Sequence, residues 1–244
     1  MKIPTFRYMG SKARLRKWLV EKFPKNGKIY FEPFSGVANV YFLSANVLDF
    51  NYWWLNDRYS HKFLYELKSY NSYFDSLFPD KITPELKKFV LENRESQISV
   101  LLENVLTFGG KGYSAGFTSD IDDRYNKDHF LKRVKEAKKL LEKTTLTCAD
   151  WKDFDYSCFG REDFLYFDPP YYETKACYPN IDHKMLIDVL NTAKYRWALS
   201  GYDNALYTQT LWFKNKYQIE RNSEIKSSNK RERVSVIETL WTNY

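Results

Sequence analysis

The stretch KIYFEPFSGVANVYFLSANVLDFNYWWLND, residues 28–57, holds the reading from which the fold follows. Lys28 to Phe31 is a short run rich in β-forming residues that ends in the turn Glu32-Pro33-Phe34-Ser35-Gly36. Val37 to Leu48 then spaces its apolar residues as a helix does, and Tyr52-Trp53-Trp54-Leu55 is a second burst of strand length closed by Asn56-Asp57. Strand, helix and strand with short links form a βαβ unit, whose two strands are parallel because the crossover returns the chain to the same edge.

Upstream, Leu15, Trp18, Leu19 and Phe23 mark an amphipathic helix over 12–22 that Pro24 ends. Downstream, the same alternation resumes with strands at 144–150, 163–168 and 195–201, helices at 181–192 and 203–213, and strands at 216–221 and 234–241. The last two runs have no helix between them, which predicts an antiparallel hairpin on an otherwise parallel sheet. Residues 58–143 differ: helical patterns at 59–70, 84–103 and 128–142 surround the glycine-rich loop 108–117. The expectation is an α/β domain formed by 1–57 and 144–244, carrying an inserted, mostly helical subdomain at 58–143.

The composition is that of a packed globular chain: 244 residues, 43% hydrophobic and 18% aromatic, with Gly 9 and Pro 8. No apolar run reaches the roughly 18 to 20 residues needed to span a bilayer. The basic amino terminus has no apolar segment of a secretory signal, so a cytoplasmic protein without membrane partners is expected. Three cysteines (148, 158, 177) and three histidines (61, 129, 183) without a Cys-x-x-Cys pair argue against a metal site or disulfide framework. A net charge of +7 suits a polyanionic partner.

The sharpest local feature is Asp168-Pro169-Pro170-Tyr171, which follows the apolar run Phe164-Leu165-Tyr166-Phe167. A carboxylate at the carboxyl end of a buried strand stands where open α/β sheets bind ligands. Consecutive prolines fix φ and remove N–H donors, so the Asp168 side chain and the Pro169 carbonyl form two acceptors on a rigid loop. Two convergent acceptors suit an exocyclic NH2 group, and Tyr171 offers a face for the ring that bears it. The plainer alternative is a strand-ending turn with a solvent-facing Asp. Asp57 ends the second strand 21 residues after Gly36, where it reads either as an acceptor for ribose hydroxyls or as the N-cap of 58–70.

Tyr8-x-Gly10-x-Lys12, the Phe31-to-Gly36 turn, Asn56-Asp57, Asp168 to Tyr171, Leu199-Ser200-Gly201-Tyr202 and Glu238-x-Leu240-x-x-Asn243-Tyr244 resemble the Dam-like DNA adenine-N6 methyltransferases. The order of the motifs is that family's alpha arrangement. The resemblance implies a Rossmann-like sheet that binds S-adenosylmethionine and releases S-adenosylhomocysteine, with no metal. It implies Asp168, Pro169, Pro170 and Tyr171 as catalytic residues. Around the cofactor it implies Tyr8, Lys12, Phe34, Ser35, Gly36, Asp57, Asp150, Trp151 and Asp168. The family's second glycine is Ala38 here, a departure of one methyl group.

Double-stranded DNA is the implied partner, and a cognate restriction endonuclease is one that the family allows. The bacterial or phage setting of the family fits the Lys-, Asn- and Tyr-rich usage. In the insertion, Lys111, Tyr113, Phe117, Arg124 and Lys127, with Lys132 and Arg133, are candidates for phosphate or base contacts. The alternative for 128–142 is a solvated helix with Phe130, Leu131, Val134, Ala137 and Leu141 inward. Lys226, Lys230, Arg231 and Arg233, read as a loop over 222–233, form a second candidate grip. Methylation of adenine in structured RNA and a non-catalytic DNA-binding relative are the competing readings.

Overall fold

The computed structural model describes residues 3–107, 110, 112, 113, 116, 117, 125–174, 179–227 and 230–244, with the backbone alone for 222–227 and 230–234. Seven strands form one sheet in the order β3-β2-β1-β4-β5-β7-β6: β1 Asn26–Glu32, β2 Asp49–Asn56, β3 Thr144–Thr147, β4 Phe164–Phe167, β5 Arg196–Tyr202, β6 Asn215–Ser227 and β7 Lys230–Thr242. The first five run parallel, and β7 pairs antiparallel with both β5 and β6. This is the otherwise parallel sheet with a carboxyl-terminal antiparallel hairpin that the alternating pattern predicts, and the Rossmann-like sheet that the resemblance implies.

Period-two alternation distributes the aromatics between two faces. Tyr30, Phe164 and Tyr166 pack with Phe23 and the helices α1 (Arg16–Lys22) and α2 (Asn39–Val47). Phe31, Leu165, Phe167, Trp197 and Trp241 pack on the other face under α7 (His183–Asn191) and α8 (Ala205–Thr210). All four residues of β4 are buried, as a central parallel strand requires. Each such side chain contributes about 1.5–3 kcal/mol on leaving water.

Between β2 and β3 the chain forms α3 (His61–Ser69), α4 (Pro84–Glu92), α5 (Gln97–Leu106) and α6 (Lys127–Leu141). The single helix expected over 84–103 is two. Asn93 ends α4, its backbone and side-chain amides both reaching the Phe89 carbonyl, and Ser96 starts a new helix by accepting the Ser99 N–H. The apolar residues of α3, α5 and α6 join the core of α1 and α2. In α6 the buried residues are Phe130, Leu131, Val134, Ala137 and Leu141.

Residues 222–233, expected as a loop, continue the β6–β7 ladder as far as the Ser227–Lys230 pair. The signal was hidden because cross-strand pairing offsets the weak β-propensity of these polar residues. The strand expected over 144–150 stops at Thr147, where Asn56 takes over: its side chain accepts the Ala149 N–H and donates to the Ala149 and Pro33 carbonyls. Among the described residues no helix is long and apolar enough to cross a membrane.

Candidate active site

In the order 3-2-1-4-5 the direction of winding reverses between β1 and β4, and a crevice opens at the carboxyl ends of those two strands. Their pairing, Tyr30 with Phe164 and Phe31 with Leu165, sets the Glu32-to-Gly36 turn beside Asp168 and Tyr171. A cleft of about 950 Å³ lies there, lined by both turns, by Asp57, Asp150 and Trp151, and by the amino-terminal segment.

Asn39 brings that segment in. Buried on α2, it accepts the Phe6 N–H at 3.0 Å and donates to the Phe6 carbonyl at 2.7 Å and the Ser11 hydroxyl at 2.8 Å. Lys12 is thereby carried into the cleft, where only 7% of its side chain is exposed. Its ammonium lies 2.9 Å from Asp168 Oδ1, donates to the Gly10 carbonyl at 3.0 Å, and stands 4.6 Å from the centre of the Tyr171 ring. Ser200 of β5 donates to the same Asp168 Oδ1 at 2.7 Å. Among the described residues no hydrogen bond or ion pair falls on Oδ2.

Tyr171 donates its hydroxyl to Glu238 Oε2 at 2.7 Å and meets Tyr202 edge-on at 4.8 Å. Burial, then the Asp168 and Glu238 carboxylates, push its phenol well above the ordinary range, so it remains a donor. Glu32, at the end of β1, accepts from Tyr30 at 2.6 Å. Burial raises its carboxyl from 4.5 to about 8, with the Tyr30 bond opposing and the Asp168 charge adding to the rise.

The Ser35-Gly36 turn is tied from two sides. Ser35 N–H donates to the Asn56 carbonyl at 3.0 Å, and Gly36 N–H donates to Asp57 Oδ2 at 2.8 Å. Gly36 has φ +52°, and a Cβ there would lie 3.2 Å from the Tyr8 ring. Ala38 has φ +60° and ψ +29°. Its departure from the family's glycine therefore matters through the left-handed backbone, which costs an alanine about 1 kcal/mol, and not through size. Among the described residues the buried Ser35 hydroxyl has no hydrogen-bond partner.

The remaining expected cofactor residues are present around the cleft. Asp57 Oδ1 caps the turn that precedes α3, accepting the Tyr59 N–H at 2.8 Å and the Ser60 N–H at 2.6 Å, while the N-cap position of the helix itself falls to Ser60. Asp150 is held by Arg58 at 2.7 Å, and Trp151 packs on Phe34 with ring centres 5.8 Å apart. Tyr8 accepts from Ser60.

The expected DNA contacts are less uniform. Tyr113 is buried and donates to the Ser99 carbonyl at 2.5 Å, and Phe117 is half-buried with Lys87 5.9 Å from its ring centre. Lys127 pairs with Asp80 at 3.3 Å, Lys132 is exposed, and Arg133 reaches the Thr5 carbonyl while lining the cleft. Lys111 and Arg124 lie outside the described residues, as do the side chains of Lys226, Lys230, Arg231 and Arg233.

Glu32, Ser200, Arg58, Arg221 and Glu238 had no assigned role in the sequence reading. The available signal was a polar residue at an inward position of an apolar strand, as Ser200 is in β5 and Glu238 in β7.

Residues 8–97 match the model of the D12 class N6 adenine-specific DNA methyltransferases, which bears out the resemblance seen in the motifs. The chain is 25% identical to the modification methylase StsI of Streptococcus sanguinis over 285 residues, covering 97% of this chain and 42% of that protein. It thus spans less than half the length of that relative. Among solved structures, the PH1948 protein from Pyrococcus horikoshii is similar with a TM-score of 0.46 and 9% identity, covering 98% of this chain and 87% of that one. The rRNA methyltransferase aviRa from Streptomyces viridochromogenes is similar with a TM-score of 0.40 and 11% identity, covering 94% and 83% of the two chains.

Proposed function

On the premise of its kinship with the Dam-like DNA adenine-N6 methyltransferases, we propose that this protein methylates the N6 amine of an adenine turned out of duplex DNA, with S-adenosylmethionine as donor. The observation that carries the reading is Asp168: its Oδ1 is held by Lys12 and Ser200, no hydrogen bond or ion pair among the described residues falls on its Oδ2, and Asp168 and Pro169 both line the cleft.

The cleft suits the donor. The Ser35 hydroxyl, buried and without a partner among the described residues, and the Gly36 backbone, which any Cβ would close against Tyr8, form a polar concave turn at the end of β1. Phe34 and Trp151 supply an apolar wall for its adenine, with Asp150 beside them, and Asp57 Oδ2 has one lone pair left for a ribose hydroxyl. When bound, the donor supplies an electrophilic methyl group on a sulfonium.

The residues of the chain act on the amine. Its nitrogen lone pair is delocalised into the purine ring, and hydrogen bonds from its two N–H groups to Asp168 and the Pro169 carbonyl favour a pyramidal nitrogen with an available pair. The C–N bond forms as the C–S bond breaks, and the nitrogen sheds one proton to Asp168 or solvent. Positioning of this kind can reach effective molarities of about 10⁵ M or more. Extruding the base costs a few kcal/mol, which Tyr171 offsets by stacking.

In this reading 58–143 is the recognition subdomain, and its basic residues with the β6–β7 ribbon grip the phosphates. A role beside a restriction endonuclease, in a bacterial or phage setting, belongs to the same proposal. Parallel incubations of the protein with labelled S-adenosylmethionine and either unmethylated duplex DNA or structured RNA of the same sequence, with nucleosides resolved by mass spectrometry, test it. N6-methyladenine in the DNA digest is expected. Label in RNA alone, or none with donor binding intact, overturns the assignment.

A further inference from the structure

Glu238 is an enclosed carboxylate beside the cleft, with 2% of its side chain exposed. Two and three residues further along β7 stand the buried apolar Leu240 and Trp241. An apolar side chain would serve such a position at least as well for stability, because a buried ion pair seldom repays its desolvation. The contacts of this carboxylate indicate another use. Oε2 accepts the Tyr171 hydroxyl at 2.7 Å, and Oε1 pairs with Arg221 of β6 at 2.6 Å. Tyr202 of β5 is Glu238's cross-strand partner, meets the Tyr171 ring edge-on at 4.8 Å, and takes a hydrogen bond from Arg221 at 3.4 Å. Four elements thus close a ring of contacts around one phenol.

Tyr171 needs such a holder. Its backbone is fixed by Pro170 before it and by Thr174, which donates from N–H and hydroxyl to the Tyr171 carbonyl. Neither fixes the two side-chain torsions that set the plane of the ring. Anchoring the far end of the ring does.

We propose that Glu238 is a positioning residue for the methyl transfer, its carboxylate holding the Tyr171 ring in the plane on which the target adenine stacks, with Arg221 and Tyr202 completing the holder. This role rests on the function proposed above. It acts through the hydroxyl of Tyr171 and not through the reacting atoms.

The test compares Glu238→Ala, Glu238→Gln, Tyr171→Phe and the double variant Tyr171→Phe/Glu238→Ala. Readouts are single-turnover methyl transfer to duplex DNA, donor affinity by calorimetry, and the ¹³Cζ shift of Tyr171, assigned by its loss in Tyr171→Phe. Glu238→Ala should slow transfer by about 10- to 100-fold while donor affinity stays within about twofold. Tyr171→Phe should slow it equally, and the double variant no further, because both single changes cut one linkage. Glu238→Gln, which retains an acceptor, should recover most of the rate, and the Tyr171 signal should move in Glu238→Ala more than in Glu238→Gln.

Multiplying effects in the double variant, wild-type transfer in Glu238→Ala, or an unmoved Tyr171 signal would reduce Glu238 to a strut between β6 and β7 and overturn the proposal. A wild-type protein that methylates no nucleic acid overturns the function itself and this role with it. That outcome is distinguished because it appears before any substitution is made.

Discussion

Asp168 was legible as a residue and its surroundings were not. A carboxylate ahead of two prolines after a fully apolar run announces an acceptor at a strand end, and the structure sets it in the cleft. Its two Oδ1 partners come from 156 residues upstream in Lys12 and 32 downstream in Ser200, separations over which a one-dimensional pattern carries no register. Asp168→Asn should lower kcat by at least about 10² in the methyl-transfer assay while the melting temperature shifts only a few degrees. Undiminished turnover would remove Asp168 from the chemistry.

Glu32 gives a second prediction. Its carboxyl is raised from 4.5 to about 8, so the native state keeps a proton that the unfolded chain releases between those values. Its contribution to stability is complete below about pH 4.5 and declines as pH rises to about 8, at no more than about 1.4 kcal/mol per pH unit. Glu32→Gln should flatten that decline in denaturant titrations across the window, and an unchanged slope would assign the dependence to other groups.

At the scale of elements, helices and strands follow from local periodicity, and the two departures have separate causes. α4 and α5 are separated by capping side chains at Asn93 and Ser96, within the polar stretch 92–97, and β6 and β7 extend through polar residues because each strand pairs with the other. The turn after β1 is the element whose shape matters most. Gly36→Ala imposes a Cβ at φ +52° and against Tyr8, so a loss of about 1 kcal/mol in stability is expected. Calorimetry should show weaker donor binding as well, and unaltered affinity would place the donor away from this turn. Asn39→Ala frees the amino-terminal segment and leaves the Phe6 amide and carbonyl short of partners, at an expected cost of about 2–3 kcal/mol. Equilibrium unfolding measures it, and a cost below about 0.5 kcal/mol would mean that the segment holds itself in place.

For the molecule as a whole, the basic surplus of seven charges sets an expectation about the partner. If duplex DNA is bound through about six phosphates, affinity should fall by about 10³ between 50 and 200 mM salt. A flat dependence in fluorescence anisotropy would point to a ligand other than a polyanion. Such an effect belongs to the summed field, so no single lysine of α6 predicts it. Exposed Lys132 and cleft-lining Arg133 lie on one helix yet face different surroundings.

The amino-acid sequence alone determined the α/β class, the parallel direction of the first strands, the terminal hairpin and the two turns that line the cleft. Hydrophobic period, proline and glycine are local signals, and each of these features is local or joins neighbours in the chain. Only the tertiary structure decided that Lys12 and Ser200 share one carboxylate oxygen, that Asp57 ties down the Gly36 turn, and that Glu238 and Arg221 enclose the hydroxyl of Tyr171. Those contacts depend on which strands become neighbours in the order 3-2-1-4-5-7-6 and in what register, and both are fixed by packing between segments that are far apart in sequence.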